Sequence, residues 1–281
     1  MSTETGDRYG VIGSPIAHSK SPVIHEMFAS QTKQALTYSA IEVPKTEAAA
    51  FVRRFFAEGG RGLNVTVPNK EEAFAVADIT TPRATLARAV NTLSTDGEGH
   101  LIGDNTDGAG LLGDLLNNYG VSLAGKRVLM LGAGGASRGV LAAIADLPEG
   151  QGPATIVVAN RTLAKAEALS ADLAGKLSVQ PASYADAASQ AFDLIINGTS
   201  ASLSGELPPL SPAMLAPGCC CYDMMYAAKP TPFIEWAQIN GASLAIDGLG
   251  MLVGQAAESF FIWRGIRPET KPVIDALRAA N

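Results

Sequence analysis

The chain has 281 residues, enough for two domains that each bury a hydrophobic core. A hydrophobic content of 47% with 17% charged residues is typical of a compact globular enzyme and excludes a disordered or coiled-coil chain. The net charge of −6 argues against nucleic acid or an anionic membrane surface as a partner, because both require a basic face.

Strand and helix patterns alternate along the first hundred residues. Strands are predicted over 9–12, 36–43 and 62–67, and helices over 22–31 and 46–58. Such alternation predicts a mainly parallel sheet covered by helices. Short helices are expected over 71–76 and 82–87, and the turn residues Asp96-Gly97-Glu98-Gly99 predict a hairpin between 89–95 and 100–102.

A polar, turn-rich segment at 103–108 precedes a predicted helix over 109–119, so the domain boundary is placed near Asp107. Strands over 128–131, 155–159, 192–197, 218–223 and 243–246 alternate with helices, as in a Rossmann sheet. Cys219, Cys220 and Cys221 lie in one of these strands, where neighbouring side chains alternate faces. We therefore expect core packing, with no metal site and no disulfide.

The tail is predicted to form an apolar helix over 249–263 and a second helix over 268–280. Its own pattern allows packing on either domain, and we expect it to return to the first. The predicted division is thus 1–107, 108–247 and 248–281. No apolar run is long enough to span a membrane, and segment 1–7 is short and polar, unlike a signal peptide, so we expect a cytoplasmic protein.

The segment Arg127 to Val140 combines an apolar strand, the turn Gly132-Ala133-Gly134-Gly135 and the start of a helix. Glycines let the backbone approach a pyrophosphate, while free N–H groups and the helix dipole face its negative charge. This pattern predicts a dinucleotide site. The third glycine of the usual motif is Ser137, and a glycine-rich turn is also compatible with a purely structural role.

The next predicted strand ends in Asn160-Arg161-Thr162, and Lys165 follows on the helix. NAD enzymes usually place an acidic residue there to bind the ribose diol, and none is present. Arg161 can grip a 2′-phosphate with its planar fork, while Thr162 and Lys165 add a hydroxyl and a charge. These residues favour NADP over the alternative of solvated residues at a helix start.

Polar residues in the first domain follow predicted strands. Ser19 and Ser21 precede a helix, where they are suited to a carboxylate or to ordinary capping. Asn64 and Thr66 share one face of a strand, with Lys70 beyond its end. In a water-poor cleft Lys70 is a candidate proton donor and acceptor held by Asp107, although a lone lysine is commonly a solvated surface charge.

Eight blocks together resemble the shikimate dehydrogenase family, in order from residue 9 to about 263. They are Gly13–Pro22, Asn64-Val65-Thr66-Val67-Pro68-x-Lys70, Ala89-Val90-Asn91-Thr92-Leu93, Gly103–Gly108, Gly132–Gly139, Asn160-Arg161-Thr162, Tyr222-Asp223-Met224-x-Tyr226 and Gly250-Met251-Leu252-Val253-x-Gln255-Ala256-Ala257. The resemblance implies an α/β protein of two domains. An N-terminal, mainly parallel substrate domain would be completed by the C-terminal helices, beside a Rossmann NADP-binding domain.

The implied reaction is reversible reduction of 3-dehydroshikimate to shikimate by NADPH, on the route to chorismate and aromatic amino acids. Lys70 and Asp107 match the catalytic pair. The matching substrate positions are Ser19, Ser21 and Tyr226 for the carboxylate, and Asn64, Thr66, Asn91, Asp107 and Gln255 for ring hydroxyls. The matching cofactor positions are Gly132, Ala133, Gly134, Gly135, Ala136, Asn160, Arg161, Thr162, Lys165, Thr199, Met224, Gly248 and Met251.

Three features qualify the resemblance. Asn69 replaces a commonly bulkier or aromatic residue, which would loosen packing beside Lys70. The form Gly-Ala-Gly-Gly-Ala-Ser is normal for the family, so Ser137 is no objection to the cradle. His18 and His25 lie in no relay pattern, and we expect capping or surface roles for them.

Two rival functions remain. A quinate/shikimate dehydrogenase using NAD(P) would accept a saturated ring with an extra hydroxyl, but Arg161 argues against NAD and the pair Ser19 and Ser21 fits the biosynthetic enzyme. A non-catalytic regulatory protein that binds shikimate or NADP should have lost Lys70 or Asp107. The expected partner is a small-molecule substrate, and the protein is expected to be a monomer or homodimer.

Overall fold

The computed structural model describes residues 6–199, 201 and 205–280, so part of the polar segment 1–7 lies outside it. The chain divides into two units, one containing the residues up to Gly110 together with Val253–Ala280, the other Leu111–Leu252. Each unit is built on one six-stranded sheet. No helix in the described part of the chain is long and apolar enough to cross a bilayer.

The first sheet has the order β2-β1-β3-β5-β6-β4. β1 pairs in parallel with β2 and β3, β4 with β6, and β5 is antiparallel to both its neighbours. The hairpin predicted around Asp96-Gly97-Glu98-Gly99 is therefore confirmed. The strands are β1 (Asp7–Gly13), β2 (Leu36–Glu42), β3 (Gly62–Val65), β4 (Ile79–Thr80), β5 (Thr92–Thr95) and β6 (Leu101–Asp104).

Helices cover both faces of this sheet. The N-terminal part of the chain contributes α1 (Ser21–Thr32), α2 (Ala48–Ala57), α3 (Lys70–Val76), α4 (Pro82–Ala87) and α5 (Asp107–Gly113). Apolar side chains of β1 and β3 that point to one face, such as Ile12, Leu63 and Val65, form a core cluster with Val52 and Phe55 of α2. Alternation along the strands sends Tyr9 and Asn64 to the opposite face.

The second sheet is entirely parallel, with the order β12-β11-β10-β7-β8-β9. This is the strand order of a doubly wound dinucleotide-binding fold. Its elements are β7 (Arg127–Leu131), α6 (Gly135–Ala145), β8 (Thr155–Ala159), α7 (Leu163–Leu173), β9 (Gln180–Ala182), α8 (Tyr184–Ala187), β10 (Phe192–Asn197), β11 (Leu215–Asp223), α9 (Pro232–Ile239) and β12 (Leu244–Ile246).

The chain ends in α10 (Leu249–Arg264) and α11 (Lys271–Ala279). Residues 253–280 belong to the first unit, so the expected return of the tail is confirmed. Trp263 packs against Tyr9 with ring centroids 4.9 Å apart and planes tilted by 30°, and its indole N–H donates to the carbonyl of Leu93 at 3.0 Å. The tail is thus attached to the sheet by an aromatic contact and a hydrogen bond.

Several predicted bounds differ from the observed ones for local reasons. β3 ends at Val65, not at residue 67, because the chain begins to turn there, although Thr66 N–H still donates to the carbonyl of Ile12 and the carbonyl of Val67 accepts from Ser14 N–H. The helix predicted over 46–58 begins as a 3₁₀ turn, Lys45–Glu47. The helix predicted over 109–119 becomes a π-helix at Asp114–Asn118. β9, a three-residue edge strand containing Pro181, was not predicted, because so short a segment has no readable period.

The three cysteines are free and buried in β11, which confirms the prediction of core packing. Cys219 and Cys221 point to the same face and join the cluster that includes Phe233 and Ile234 of α9. Cys220 points to the other face, as the pleat requires.

Gly62 provides a test of how the tail packs on the sheet. A Cβ at this position would lie 2.4 Å from Cε2 and Nε1 of Trp263, which the ring contact with Tyr9 and the Leu93 hydrogen bond hold in place. We expect Gly62→Ala to lower the free energy of unfolding by about 1–3 kcal/mol, measured in urea, because the overpacked indole must shift.

Gly97→Ala is the matched control, because nothing lies within 4 Å of a Cβ there. We expect it to leave stability nearly unchanged or slightly raised. Equal stability losses in the two variants would contradict the proposed packing of Trp263.

Candidate active site

Lys70 and Asp107 form an ion pair in the first unit. They are the first residues of α3 and α5, and Lys70 Nζ lies 2.5 Å from Asp107 Oδ2. The second carboxylate oxygen, Oδ1, accepts from Asn91 Nδ2 at 2.7 Å. The side chains of Lys70 and Asp107 are 27% and 12% exposed, so the pair is shielded but still reachable from solvent.

Asn91 connects this pair to the surrounding segments. Its Oδ1 accepts from the backbone N–H of Thr106 at 2.8 Å, and its Nδ2 lies 3.4 Å from Gln255 Oε1 on α10. Its backbone carbonyl accepts from Val65 N–H at 2.8 Å, immediately after Asn64 on β3. The structure thus brings Lys70, Asn91 and Asp107 together with Gln255, a residue far away in the sequence.

Asn64 is buried beneath this group. Its Nδ2 donates to the carbonyl of Asn91 at 3.2 Å and to Ser259 Oγ at 2.9 Å. Thr66 lies outside β3, because the strand ends one residue earlier. Its N–H donates to the carbonyl of Ile12, and its methyl group lies against Gly13, where a Cβ would approach Cγ2 to 2.5 Å.

Ser19 and Ser21 lie where β1 leads into α1. Ser19 Oγ accepts from the backbone N–H of Ser21 at 3.3 Å, and Ser21 begins the helix and is 7% exposed. The loop before them is held by Glu42, whose carboxylate accepts from Ser14 Oγ at 2.7 Å and from Ile16 N–H at 3.3 Å. The two hydroxyls therefore stand on a fixed turn at a helix N-terminus, which is suited to an anion.

Asn69 is completely buried at the turn before Lys70. Its Nδ2 donates to the carbonyl of Val43 at 2.7 Å, and Val43 N–H in turn donates to the carbonyl of Gly13. The Asn69 side chain therefore links the Lys70 turn to the segment after β2.

Asp104 anchors the segment that leads to Asp107. Its carboxylate accepts a bidentate pair from Arg83 at 2.7 and 2.8 Å and the N–H of Asn105 at 2.6 Å. Burial by itself would raise the pKa of Asp104, but the Arg83 hydrogen bonds and charge outweigh it and hold the pKa below its usual value. Asp104 therefore stays ionised and fixes the end of β6.

The second unit has an open cavity of about 500 Å³ at the start of α6. Its lining includes the following predicted cofactor residues: Gly132, Ala133, Gly134, Gly135, Ala136, Asn160, Arg161, Thr162, Lys165 and Thr199. Tyr184, Gly198, Ala201 and Glu206–Pro209 complete the lining and were not predicted. They come from later parts of the chain that only the doubly wound sheet brings to this edge.

The glycines of the cradle have separate roles. Gly132 has φ +95°, a left-handed conformation that favours glycine, and its N–H donates to the carbonyl of Ala159. At Gly134 and Gly135 a Cβ would meet no atom within 4 Å, so the backbone borders open space at the N-terminus of α6. Free N–H groups beside open space fit a phosphate group.

Ser137 stands at the third glycine position of the motif, where close packing usually requires glycine. Its side chain is nevertheless accommodated in the interior. It fits because its neighbour is Gly198, where a Cβ would lie 2.4 Å from Ser137 Oγ. The small residue that allows close packing of helix and strand is thus supplied by the loop after β10.

Arg161 and Lys165 are exposed at the start of α7. Among the residues that the structure describes, neither forms an ion pair with an acidic side chain. Asn160 Oδ1 accepts from Ala133 N–H at 3.2 Å, which ties this strand end to the cradle. The two cations are therefore available to a phosphate on the ribose, as the NADP prediction requires.

The remaining predicted cofactor residues lie after β10 and β11. A Cβ at Gly248 would lie 2.2 Å from the carbonyl oxygen of Met224, so only glycine fits this approach. Met251 N–H donates to Tyr222 Oη at 3.1 Å, and Tyr222 in turn donates to the buried Asp114 at 2.7 Å. Tyr226 also follows β11, so it belongs to the second unit, whereas Ser19 and Ser21 belong to the first.

Three family models match the chain in sequence order. The substrate-binding domain of shikimate dehydrogenase matches residues 11–93, the shikimate/quinate 5-dehydrogenase model residues 114–204, and the shikimate 5′-dehydrogenase C-terminal domain residues 248–278. A curated relative from Alkalilimnicola ehrlichii, named shikimate dehydrogenase (NADP(+)), is 57% identical over 97% of this chain and 98% of its own length. The chain belongs to the shikimate dehydrogenase family.

Solved structures of similar chains agree. The Ael1 enzyme from Pseudomonas putida is 45% identical, with a TM-score of 0.89, and the match covers 96% of this chain and 98% of that one. Shikimate 5-dehydrogenase from Thermus thermophilus, solved with NADP(H) and shikimate, is 31% identical with a TM-score of 0.84, covering 98% and 100%. The expected fold class, an α/β protein with a substrate domain and a Rossmann domain, is confirmed.

A buried cluster of hydroxyls beneath the site was not predicted from the sequence. Thr92 Oγ1 lies 2.7 Å from Ser259 Oγ, and Thr106 Oγ1 lies 3.3 Å from the same atom. One signal was present: Gln255 and Ser259 are four residues apart, on one face of an apolar helix. Only the tertiary structure shows that this face meets Asn64.

His25 is completely buried, so the expected capping or surface role is wrong for this residue, whereas His18 is exposed. The imidazole of His25 stacks on Tyr38 with centroids 4.1 Å apart and planes 7° apart. Burial lowers the pKa of His25 to about 3, because the charged form would lose its hydration. The ring is therefore a neutral member of an aromatic cluster with Phe28 and Trp263.

This burial predicts a loss of stability in acid. An ordinary histidine in the unfolded chain binds a proton below about pH 6.5, whereas folded His25 does not until about pH 3. Between these values the unfolded state holds the extra proton, so stability falls as the pH falls. We expect wild type to lose about 2 kcal/mol more than His25→Phe between pH 7 and 5, measured by urea unfolding.

His25→Phe retains an aromatic ring against Tyr38 and removes the titratable nitrogens, while its effect on packing does not depend on pH. The difference between the two proteins should not change between pH 7.5 and 8.5. A parallel loss of stability in both proteins down to pH 5 would contradict the burial of a neutral imidazole.

Proposed function

We propose that this protein catalyses the reversible reduction of 3-dehydroshikimate to shikimate with NADPH. The ion pair of Lys70 and Asp107, held by Asn91 in the substrate-binding domain, is the observation that carries the proposal. A regulatory protein that only binds its ligand has no need of this pair. The Alkalilimnicola relative is named for NADP(+), which supports the same cofactor here.

The first unit is assigned the substrate. Ser19 and Ser21 would bind the carboxylate, helped by Tyr226, through hydroxyls placed at a helix N-terminus. The ring hydroxyls are assigned to Asn64, Thr66, Asn91, Asp107 and Gln255. Of these, Asn64, Asn91, Asp107 and Gln255 lie in one hydrogen-bonded group, which supports a shared ligand.

Lys70 is assigned the proton transfer. NADPH, when bound, supplies the hydride to C3 of the substrate. Lys70 as an ammonium stabilises the negative charge that develops on the C3 oxygen and protonates it; in the reverse direction the neutral amine accepts the hydroxyl proton. Asp107 orients Lys70 through one oxygen. Its other oxygen is held by Asn91, so the carboxylate cannot rotate freely.

The second unit is assigned NADP. The backbone around Gly132 to Ala136 would meet the pyrophosphate, and Arg161, Thr162 and Lys165 the 2′-phosphate, with Asn160 fixing the strand end. Thr199, Met224, Gly248 and Met251 are assigned to the nicotinamide side. In this proposal residues 1–107 and 248–281 form the substrate domain and 108–247 the cofactor domain. The proposal includes a cytoplasmic location and a monomeric or homodimeric state.

The function is tested by NADP⁺ reduction in the presence of shikimate. We expect turnover with shikimate and little with quinate. Lys70→Met keeps an unbranched side chain that is one atom shorter but removes the transferable proton, so kcat should fall by about a hundredfold to ten-thousandfold, while KM changes far less.

Lys45→Met is the control, because Lys45 is a surface lysine paired with Glu71. It should retain wild-type turnover. Near-normal turnover in Lys70→Met would remove the proposed proton transfer, and preference for quinate would favour the quinate/shikimate alternative.

Arg161→Ala tests the cofactor assignment. Loss of charge-assisted bonds to the 2′-phosphate should raise the KM for NADP⁺ by about tenfold to a hundredfold and leave that for NAD⁺ nearly unchanged, because NAD⁺ has no such phosphate. Lys176→Ala removes an exposed cation of the same unit that does not line the cavity, and it should change neither value. An equal rise for both cofactors would contradict a role for Arg161 in phosphate selection.

A further inference from the structure

Tyr38 is hydrogen-bonded to a residue assigned to the substrate, although nothing in its own sequence context suggested a role. It lies on β2, and its hydroxyl donates to Asn64 Oδ1 at 2.7 Å. Tyr38 therefore contacts directly a residue that is assigned to a ring hydroxyl of the substrate.

The orientation of the Asn64 amide depends on this contact. Its Nδ2 faces the carbonyl of Asn91 at 3.2 Å, Thr92 Oγ1 at 3.2 Å and Ser259 Oγ at 2.9 Å. A backbone carbonyl can only accept, so the nitrogen must point that way and Oδ1 must point to Tyr38. The phenol supplies the donor that this buried oxygen needs.

The ring of Tyr38 is held in place as well as its hydroxyl. It stacks on the buried, neutral imidazole of His25 at 4.1 Å, and Trp263 packs near it at 6.4 Å. Burial raises the pKa of Tyr38 well above its ordinary value, so the phenol stays protonated and remains a donor. A rigid donor of this kind fixes an acceptor without itself reacting.

We propose that Tyr38 is a positioning residue that holds the Asn64 carboxamide with Oδ1 oriented to accept a hydrogen bond from a ring hydroxyl of the substrate. An amide oxygen has two lone pairs, and the Tyr38 bond uses one of them. Without the phenol hydroxyl, Oδ1 would lose its donor and the amide its preferred orientation. The inference rests on the proposed function, because it assigns a role within the same substrate site.

Tyr38→Phe removes only the hydroxyl and keeps the stack on His25. We expect the KM for shikimate to rise by about fivefold to thirtyfold, as loss of a hydrogen bond to a buried polar group implies. The kcat and the KM for NADP⁺ should stay near wild type, since neither Lys70 nor the cofactor cavity is touched. A merely structural hydroxyl would lower the melting temperature and leave this KM unchanged.

Tyr9→Phe is the matched control. Tyr9 pairs with Tyr38 in the register of β1 and β2 and points to the same face, but its hydroxyl lies 3.3 Å from Arg264 instead of Asn64. This variant should keep the wild-type KM for shikimate. Equal increases in Tyr9→Phe and Tyr38→Phe would indicate general damage to the sheet and overturn the inference.

A double-mutant cycle tests whether Tyr38 acts through Asn64. In an Asn64→Ala background, adding Tyr38→Phe should leave the KM for shikimate unchanged, because there is no amide left to orient. Multiplicative increases in KM would show that Tyr38 acts independently, and the inference would be wrong. Absence of any wild-type turnover with shikimate contradicts the proposed function, whereas normal wild-type turnover with an unchanged KM in Tyr38→Phe contradicts the inference alone.

Discussion

The ion pair of Lys70 and Asp107 is the constraint that gives the first unit its chemistry. A lysine amine on a flexible stem is a poor proton donor unless its position is fixed. Here Asp107 holds it at 2.5 Å, and Asn91 holds the second oxygen of that carboxylate. Asn91 is itself held by two backbone N–H groups, since Thr106 donates to its Oδ1 and Val65 to its carbonyl oxygen. The segments around residues 65, 91 and 106 therefore together set the geometry at Lys70.

The polar network beneath this pair is dense and largely satisfied. Asn64, Thr92, Thr106 and Ser259 exchange hydrogen bonds in a region closed to solvent. Such a network is costly if any member loses its partner, and this cost favours a single arrangement. The aromatic cluster of His25, Tyr38 and Trp263 adjoins the same region, and its uncharged rings are held by contacts with one another. Rigidity at the site therefore comes from buried hydroxyls and rings that take no part in the proposed reaction.

In the second unit the glycines leave the backbone open to close approach by other groups. Gly132 adopts a left-handed conformation, Gly134 and Gly135 border open space, and Gly248 allows close approach of the Met224 carbonyl. Ser137 is compatible with this arrangement because Gly198 supplies the missing space. The glycine that this contact needs can therefore stand on either side of it. The combined size of the two side chains matters more than the identity of either residue.

The sequence by itself determined the α/β class, the order of the elements and the cradle before α6, because these depend on local periodicity and turn chemistry. It also placed Lys70 beyond the end of a strand and Asp107 in a polar turn before a helix, and it suggested their pairing. It did not locate the buried His25, the bond from Tyr38 to Asn64, or Ser259 beneath the site, since each depends on segments brought together from distant parts of the chain. The predicted end of β3 was two residues too late because the chain begins its turn directly after Val65. Only the tertiary structure decided that the C-terminal helix closes the first unit, because an apolar helix carries no mark of the sheet on which it will pack.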